Sequence, residues 1–430
     1  MGLSKPGFSE KDWQGSGKIN GDHDLGKGGE RIYGLDDGII VMRFLCVNQP
    51  ARADIFGQRY QLKPIDPCIA NIEDILVTDN FSASELLSRH KEVLVEVSFD
   101  TENLKGYPRI VNRLSDLEPG GRILIIRNGG IGDHIMLLPA LRVYREMFPT
   151  DSKIWLATQK EKHPLFYNNS NIDQLYSLPL RLNALLKADY LVDFSSRDDW
   201  YDLTRLHMTD SYLNYFKIDY RTIKDKTPEI AWDRGRSPRI SNLFDVVRKS
   251  NPHKPLVLLN WKASNRLRDL PPEKVLFLIK KVDDVLFVVA QSKEFSEDTA
   301  KLVKKYGNRI FDCSPEMGSL EDYMAAVANC DAVVSTDTAA GHLAEALGKP
   351  SLVIYGPARD DLWIRYHDGA YPVRAEYSGK TCQSPCGLTK NTEDGCPEAI
   401  LLGSSFSPCL LSITDERIES AFIKIMESIY

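Results

Sequence analysis

The sequence predicts an α/β protein built from two doubly wound domains that face each other across a cleft, with a β-rich accessory domain in front. Three observations carry this. After residue 121, short apolar runs of buried-strand type alternate with helical patterns, the signature of parallel βαβ units. A second such set begins near 256, after a polar stretch. Before 118, the chain is strand-like, with β-branched runs separated by turn residues.

The elements follow in order. Residues 1–30 are rich in Gly, Lys, Asp and Ser and show almost no apolar periodicity, so they read as a disordered tail. Residues 31–118 hold the strand-like runs Gly38 to Cys46, Ile75 to Thr78 and Glu92 to Ser98, several with the two-residue period of a half-buried strand. Asp116 to Gly121 makes a junction. The first doubly wound domain, 119–238, opens with the strand Arg122 to Arg127 and a Gly-rich turn. A helix follows, with Leu137, Leu138, Leu141, Tyr144 and Met147 on one face. Further strands are expected at 153–157 and 189–194. The region 221–252, with its Pro, Arg and Lys residues, reads as a hinge. The second domain, 239–430, holds strands at Leu256 to Asn260, Val285 to Ala290, Asp331 to Ser335 and Ser351 to Tyr355, and ends in an amphipathic helix over 413–428.

Composition excludes several classes. The chain has 430 residues, 43% hydrophobic and 27% charged, the balance of an ordinary globular enzyme able to bury a core in each domain. Its formal net charge of −6 gives no global basic footprint for nucleic acid. No apolar run approaches the ~20 residues of a membrane span, and the start lacks an apolar signal-peptide core. Gly2 suggests myristoylation, but Pro6 stands where Ser or Thr is required. The reading is a cytoplasmic protein without nucleic-acid partners. Of eight cysteines, Cys382, Cys386, Cys396 and Cys409 cluster as C-x3-C-x9-C-x12-C. In a cytosolic enzyme this set reads as metal ligands or free thiols before disulfides; four thiolates suit a structural zinc or iron.

Three segments carry candidate chemistry. Arg127 to Asp133 links a strand to a helix. Gly129, Gly130 and Gly132 allow a tight turn and close approach, and Asp133 falls at or near the helix start, facing the expected cleft. The turn does not fit the G-x-G-x-x-G dinucleotide fingerprint, since no third glycine follows Gly132 at the required spacing. Ser335 to Ala344 follows a strand and opens a helix: Thr336, Asp337 and Thr338 are N-cap types, and a helix N-terminus suits a diphosphate. His342 lies about one turn after Thr338 and shares its face. In Asn260 to Pro271, the cations Lys262, Arg266 and Arg268 fall in a loop beside the same cleft, where they can neutralise a leaving group. Each segment alone also fits a bland reading: a capped helix, a packed histidine, a solvated charge run.

In order and together, these segments resemble glycosyltransferase family 9, the ADP-heptose:lipopolysaccharide heptosyltransferases. The resemblance rests on Gly132-Asp133 followed by Leu138-Pro-Ala-Leu-Arg142, on Asp337-Thr338 followed by His342-Leu343, and on Gly348-Lys-Pro350 and Tyr355-Gly-Pro357. It covers about 121–425 and leaves 1–118 unmatched. It implies a GT-B fold of two Rossmann-like domains and an inverting transfer of a sugar, heptose first, from a nucleotide-diphosphate donor such as ADP-heptose to a hydroxyl. Asp133 would be the base, the Asp337/Thr338 helix start the diphosphate site, and Arg268 the counterpart of a phosphate-binding lysine. The sequence departs from the family pattern at Ala339 (for Gly), Arg268 (for Lys) and Leu270 (for Trp). No catalytic metal is implied. The acceptor would be a glycolipid, a glycan or a protein, with peripheral contact at the inner face of the inner membrane in the glycolipid case. The rivals are a non-catalytic sugar- or nucleotide-binding protein, a sugar-nucleotide epimerase and a protein O-glycosyltransferase.

Overall fold

The structure, a computed structural model, describes residues 42–47, 51–55, 58–62, 74–91, 93–97, 101, 104–195, 205–292, 296–388 and 395–429. The tail expected at 1–30, the front of the strand expected from Gly38, and Cys68 lie outside the described residues.

At the front, β1 (Arg43–Val47), β2 (Ala51–Ile55), β3 (Gln58–Leu62), β4 (Leu76–Thr78), α1 (Asn80–Arg89) and β5 (Leu94–Val97) follow one another. β1 pairs antiparallel with both β4 and β5, while β2 and β3 pair with each other. Alternation along β1 sends its side chains two ways. Leu45 and Val47 pack with Leu86 of α1, whereas Phe44 and Cys46 pack against Leu124, Ile126 and Leu191 of the next sheet.

That next sheet uses β6 (Arg109–Ile110), β7 (Arg122–Ile126), β8 (Lys153–Gln159), β9 (Gln174–Leu178) and β11 (Tyr190–Asp193). All run parallel in the order β6-β11-β7-β8-β9. Two exchanges cross the junction expected at 116–121. β6 precedes that junction yet pairs with β11, and β10 (Leu180–Arg181), which leads into α3 (Leu182–Leu185), pairs antiparallel with β4 of the front sheet. The helices α2 (Ile131–Met147) and α4 (Met208–Tyr215) cover one face of the parallel sheet, over Ile123, Ile125 and Val192. The front sheet covers the other. A parallel sheet must be buried on both sides, and here a second sheet does what helices do in a regular doubly wound domain.

The second domain runs through α5 (Pro238–Ser250), β12 (Leu256–Asn260), α6 (Pro272–Lys281), β13 (Leu286–Val289), α7 (Ser296–Tyr306), β14 (Ile310–Asp312), α8 (Leu320–Asn329), β15 (Ala332–Thr336), α9 (Ala339–Ala346), β16 (Ser351–Tyr355) and β17 (Ala370–Arg374). It closes with α10 (Pro397–Leu402), α11 (Pro408–Leu411) and α12 (Asp415–Glu427). The six strands are parallel in the order β14-β13-β12-β15-β16-β17. Chain order therefore reverses between β12 and β15, the place where open α/β sheets bind ligands. In α12, Ile418, Ala421, Phe422 and Ile425 are the buried stripe, the helical period read from the sequence.

Two expectations change. The hinge expected over 221–252 is irregular only in its first half, because Pro238 opens α5, which buries Ile240, Phe244 and Val247; proline is favoured at a first helical position. α2 is not one-faced: its residues from His134 to Leu141 are all buried, while Met147 is 43% exposed. The reason is a second neighbour, for Ile135, Leu137 and Leu141 share one continuous core with Ala340, Leu343 and Ala344 of α9. The two Rossmann-like layers are thus fused through α2 and α9.

A buried ion pair fastens the same layers elsewhere. Lys226 Nζ donates to Asp210 Oδ1 at 2.7 Å, both side chains being 5% exposed or less. Tyr366, from the segment between β16 and β17, donates to Asp210 Oδ2 at 2.6 Å, and Lys226 Nζ donates to the Tyr366 hydroxyl at 2.8 Å. Such a pair adds little over an apolar equivalent, but removing Lys226 leaves the buried Asp210 only the longer, half-exposed contact with Arg365 Nη1 at 3.7 Å, at a cost of up to about 3–5 kcal/mol. Lys226→Met is expected to lower the urea midpoint by a destabilisation of about that size, and an unchanged midpoint would show that Asp210 finds another counter-charge.

Candidate functional site

The Gly-rich turn is held from below and from the side. Gly129 has φ +134°, a conformation that favours glycine. Gly130 is the N-cap of α2 and Asp133 occupies its third position, where Asp133 Oδ2 accepts from Gly130 N at 2.7 Å. Arg127 Nη2 lies 3.4 Å from the same oxygen. Arg127 is fixed in turn, donating from Nε to the Tyr212 hydroxyl at 2.7 Å and from Nη1 to Phe194 O at 3.0 Å. Tyr212 donates to Asp133 O at 3.1 Å. Under the turn, His134 is fully buried, and burial first, then Arg127, pushes its imidazole down to about 4. It is therefore neutral. The shorter carbonyl contact places the proton on Nδ1, which donates to Gly130 O at 2.7 Å, while Nε2 accepts from the Thr158 hydroxyl at 2.6 Å and lies 3.1 Å from Arg127 O. The Asp133 side chain itself stays 25% exposed.

The second half of the site is the start of α9. Thr338 is the N-cap, and its hydroxyl accepts from Ala340 N at 3.3 Å. Asn260, at the end of β12, donates to that hydroxyl at 2.8 Å and accepts from Gln291 Nε2 at 3.0 Å. The switch point between β12 and β15 is thus pinned by Asn260. Arg268 Nη1 donates to Asp337 O at 2.9 Å and lies 3.4 Å from Asp337 Oδ2, and the Thr336 hydroxyl donates to Arg268 O. Arg268 Nε is buried without a hydrogen-bond acceptor, so this guanidinium retains donor capacity at the helix start.

The two halves touch. An added Cβ at Gly132 would fall 2.6 Å from His342 Cδ2 and 2.9 Å from Nε2, so no side chain fits there. His342 lies between both carboxylates, which draw its pKa up against burial, the largest effect; the net shift is downward. Asp133, Gly129, Gly130, Gly132, His342, Thr338, Asp337 and Arg268 are therefore assembled in one place. Ala339, expected to supply a backbone donor, is the first residue of α9. Lys262 and Arg266 are not part of this group. Lys262 Nζ is paired with Asp269 at 3.3 Å and Asp298 at 2.9 Å, and Arg266 is exposed on the loop. A cavity of 290 Å³ at the ends of β16 and β17 does not compete as the centre. Its cations, Arg359 and Arg374, are each paired with an aspartate at 2.7 Å.

Sequence reasoning missed Asn260, Gln291, Tyr212 and His134. Two of them stood beside quoted motifs, Asn260 at the head of the basic segment and His134 directly after Asp133.

Behind His342 lies a second buried imidazole. The rings of His342 and His367 meet edge to face, with centroids 5.4 Å apart, and neither ring nitrogen of His367 has a hydrogen-bond partner. Glu345 Oε2 is 3.8 Å from His367 Nδ1. Burial, then Asp368, raises the Glu345 carboxyl to about 8, and burial holds His367 well below its usual value. At neutral pH both are uncharged, and the contact is not an ion pair.

The cysteine loop sits apart from this centre. Cys409, in α11, lies against Gly356 just beyond β16. Burial first, then the neighbouring Cys386, Cys396 and Cys382, raises its thiol to about 12, so the four sulfurs share one neighbourhood. None is in a disulfide. Among the described residues, no three ligating side chains already converge on one ion position.

Residues 222–391 match the profile of glycosyltransferase family 9 (heptosyltransferase). Over this stretch the chain is similar to glycosyltransferase family 9. The match takes in Arg268, Asp337, Thr338 and His342, whereas Asp133 lies outside it. A family 9 glycosyltransferase from Veillonella parvula DSM 2008 is 15% identical, with a TM-score of 0.55 over 72% of this chain and 98% of that one. The ADP-heptose lps heptosyltransferase II of E. coli is 14% identical, with a TM-score of 0.53 over 71% and 99%. The E. coli TibC, described as a dodecameric iron-containing heptosyltransferase in complex with ADP-D-beta-D-heptose, is 10% identical, with a TM-score of 0.51 over 90% and 92%. At these identities the likeness is one of fold, the GT-B arrangement. No curated protein sequence matches the chain. Among the described residues no helix is long and apolar enough to cross a membrane.

The Glu345 carboxyl gives a pH prediction. Folded, it keeps its proton to about 8; its ordinary value is 4.5. Between these values the folded chain holds a proton that the unfolded chain has lost. Its contribution is therefore full below 4.5 and falls away as pH rises to about 8. Glu345→Gln is expected to flatten the fall of stability across that window, read as urea midpoints at several pH values. Parallel curves for the two proteins would overturn the assignment.

Proposed function

We propose that this protein is an inverting glycosyltransferase that moves a heptose from an ADP-heptose-like donor to an acceptor hydroxyl, with Asp133 as general base. One observation carries the reading: the Asp133 turn and the start of α9 abut through Gly132 and His342. This sets a partly exposed carboxylate beside a helix N-terminus. Glycosyl transfer passes through an oxocarbenium-like state. It needs a base for the incoming hydroxyl and positive charge for the departing diphosphate. Asp133 supplies the first, held by Gly130 N and Arg127 so that its position is set before substrate arrives. The α9 amides and Arg268 supply the second, and Ala339 contributes an N–H at that helix start. His342 orients the phosphates between the two carboxylates. Lys262 and Arg266, candidates on sequence, are assigned no direct part. ADP as the nucleotide and heptose as the sugar rest on the family and on TibC, which is described with ADP-D-beta-D-heptose. A glycolipid, glycan or protein acceptor is compatible with this site.

Asp133→Ala is expected to lose about 10²–10⁴-fold in transfer while still binding ADP in calorimetric titration. Arg268→Ala is expected to weaken ADP by about 1.5–3 kcal/mol, the range for a charged hydrogen bond. Near-wild-type turnover of Asp133→Ala would remove the base assignment. If ADP, GDP and UDP all failed to bind, the diphosphate site would fall and a non-catalytic binding protein would take its place.

We further propose that Cys382, Cys386, Cys396 and Cys409 hold a structural iron or zinc. Four unpaired thiols in one neighbourhood are a soft donor set that suits either metal, and TibC is described as iron-containing. Elemental analysis after purification without chelators is expected to find about one metal per chain, lost in Cys386→Ser; iron and zinc both absent would dispose of the site.

A further inference from the structure

We propose that the N-terminal module positions the base: Asp79 and Ser82 at the start of α1 hold Asn128, and Asn128 sets the turn that carries Asp133. The inference rests on the reading of Asp133 as general base and adds to it a role for the front of the chain.

The bonds form one directed series. Asp79 is the N-cap of α1, and its carboxylate accepts from Ser82 N at 2.9 Å and from the Ser82 hydroxyl at 2.6 Å. The hydroxyl proton of Ser82 is therefore committed to Asp79, which leaves the Ser82 oxygen as an acceptor. Asn128 Nδ2 donates to that oxygen at 2.6 Å. This fixes which way the Asn128 amide faces, with Nδ2 toward Ser82 and Oδ1 toward the turn, where Oδ1 accepts from Gly129 N at 2.7 Å. The next amide, Gly130 N, donates to Asp133 itself. Asn128 N is taken by the Ser195 hydroxyl at 2.6 Å. Three consecutive amides of the turn are thus each assigned a partner, and one of those partners, the Asn128 side chain, has its orientation set from the front module.

Burial gives the series its force. Asp79 and Ser82 are fully buried and Asn128 is 4% exposed, so water does not replace a lost partner. Without the Ser82 oxygen, the Asn128 amide is free to rotate, and Gly129 N then faces either oxygen or an NH₂ group. Gly129, at φ +134°, has its own N–H committed to the Asn128 oxygen, so this residue of the turn loses its partner when the amide rotates. Ser82 touches no reacting atom in this scheme and is a positioning residue.

The test uses the full chain with ADP-D-β-D-heptose as donor and ADP as the binding probe. Ser82→Ala is expected to lower kcat by about 10–100-fold, the scale for misplacing a catalytic group, with ADP affinity unchanged because the nucleotide site lies on the other sheet. Ser82→Thr, which keeps the hydroxyl, is expected to recover turnover. Ser84→Ala, on the same helix but bonded to Arg43, is expected to leave kcat alone. Amide exchange across 127–133 is expected to speed up in Ser82→Ala, while the strands of the second sheet keep their protection. In an Asp133→Ala background, Ser82→Ala is expected to cost nothing further. Unchanged exchange and unchanged kcat in Ser82→Ala would overturn the proposal, as would a loss of kcat equal in the two backgrounds. If Asp133→Ala kept full activity, the base assignment would fail, and the faster exchange at 127–133 would still report on what Ser82 does to the turn.

Discussion

The meeting of two helix starts organises this molecule. α2 and α9 belong to different parallel sheets, yet Gly132 at the head of one lies against His342 in the first turns of the other, at a separation that excludes even a methyl group. Helix N-termini carry unpaired N–H groups and partial positive charge, so bringing two together creates a region that favours anions. The structure keeps Asp133 and Asp337 at those ends. It also holds the intervening His342 neutral by burial. Everything that fixes α2 against α9, from the shared core of Ile135, Leu137, Leu343 and Ala344 to the Asp210–Lys226–Tyr366 cluster, fixes that electrostatic arrangement as well.

The layers around this contact follow from the requirement that parallel sheets be covered on both faces. In the second sheet, alternation sends Leu256, Leu258 and Val333 toward the common core and Val257, Leu259 and Val334 toward α6 and α12. In the first sheet, the outer face is covered by β1, whose Phe44 and Cys46 lie on Leu124 and Ile126. The front of the chain is therefore built into the first domain. Its helix α1 reaches the Gly-rich turn, which gives a physical reason for a segment that the family resemblance leaves unmatched.

Legibility differed with the kind of residue. The strands at 122–126, 256–260, 332–336 and 351–355 were plain, because a strand buried on both faces is a continuous apolar run. Asp133 and the Asp337–Thr338 start were plain because each sits at a strand-to-helix turn, where capping residues and glycines have local causes. Lys262 misled: it stands in a basic loop, yet its charge is taken by Asp269 and Asp298. The roles of Asn260, Tyr212, Ser82 and Lys226 were not legible. Each is one polar residue with a deciding partner 31 or more positions away: Gln291 for Asn260, Arg127 for Tyr212, Asn128 for Ser82 and Tyr366 for Lys226.

Periodicity and local turn chemistry are properties of neighbours in the chain, so the sequence was sufficient for two parallel α/β units, for the helix starts that carry Asp133 and Thr338, and for a likeness to one enzyme family. The pairing of those helix starts, the neutral state of His134 and His342, the second sheet that covers the first, and the series from Asp79 to Gly129 were decided only in three dimensions. Their energies come from burial and from partners distant along the chain, and neither quantity exists until the layers have closed.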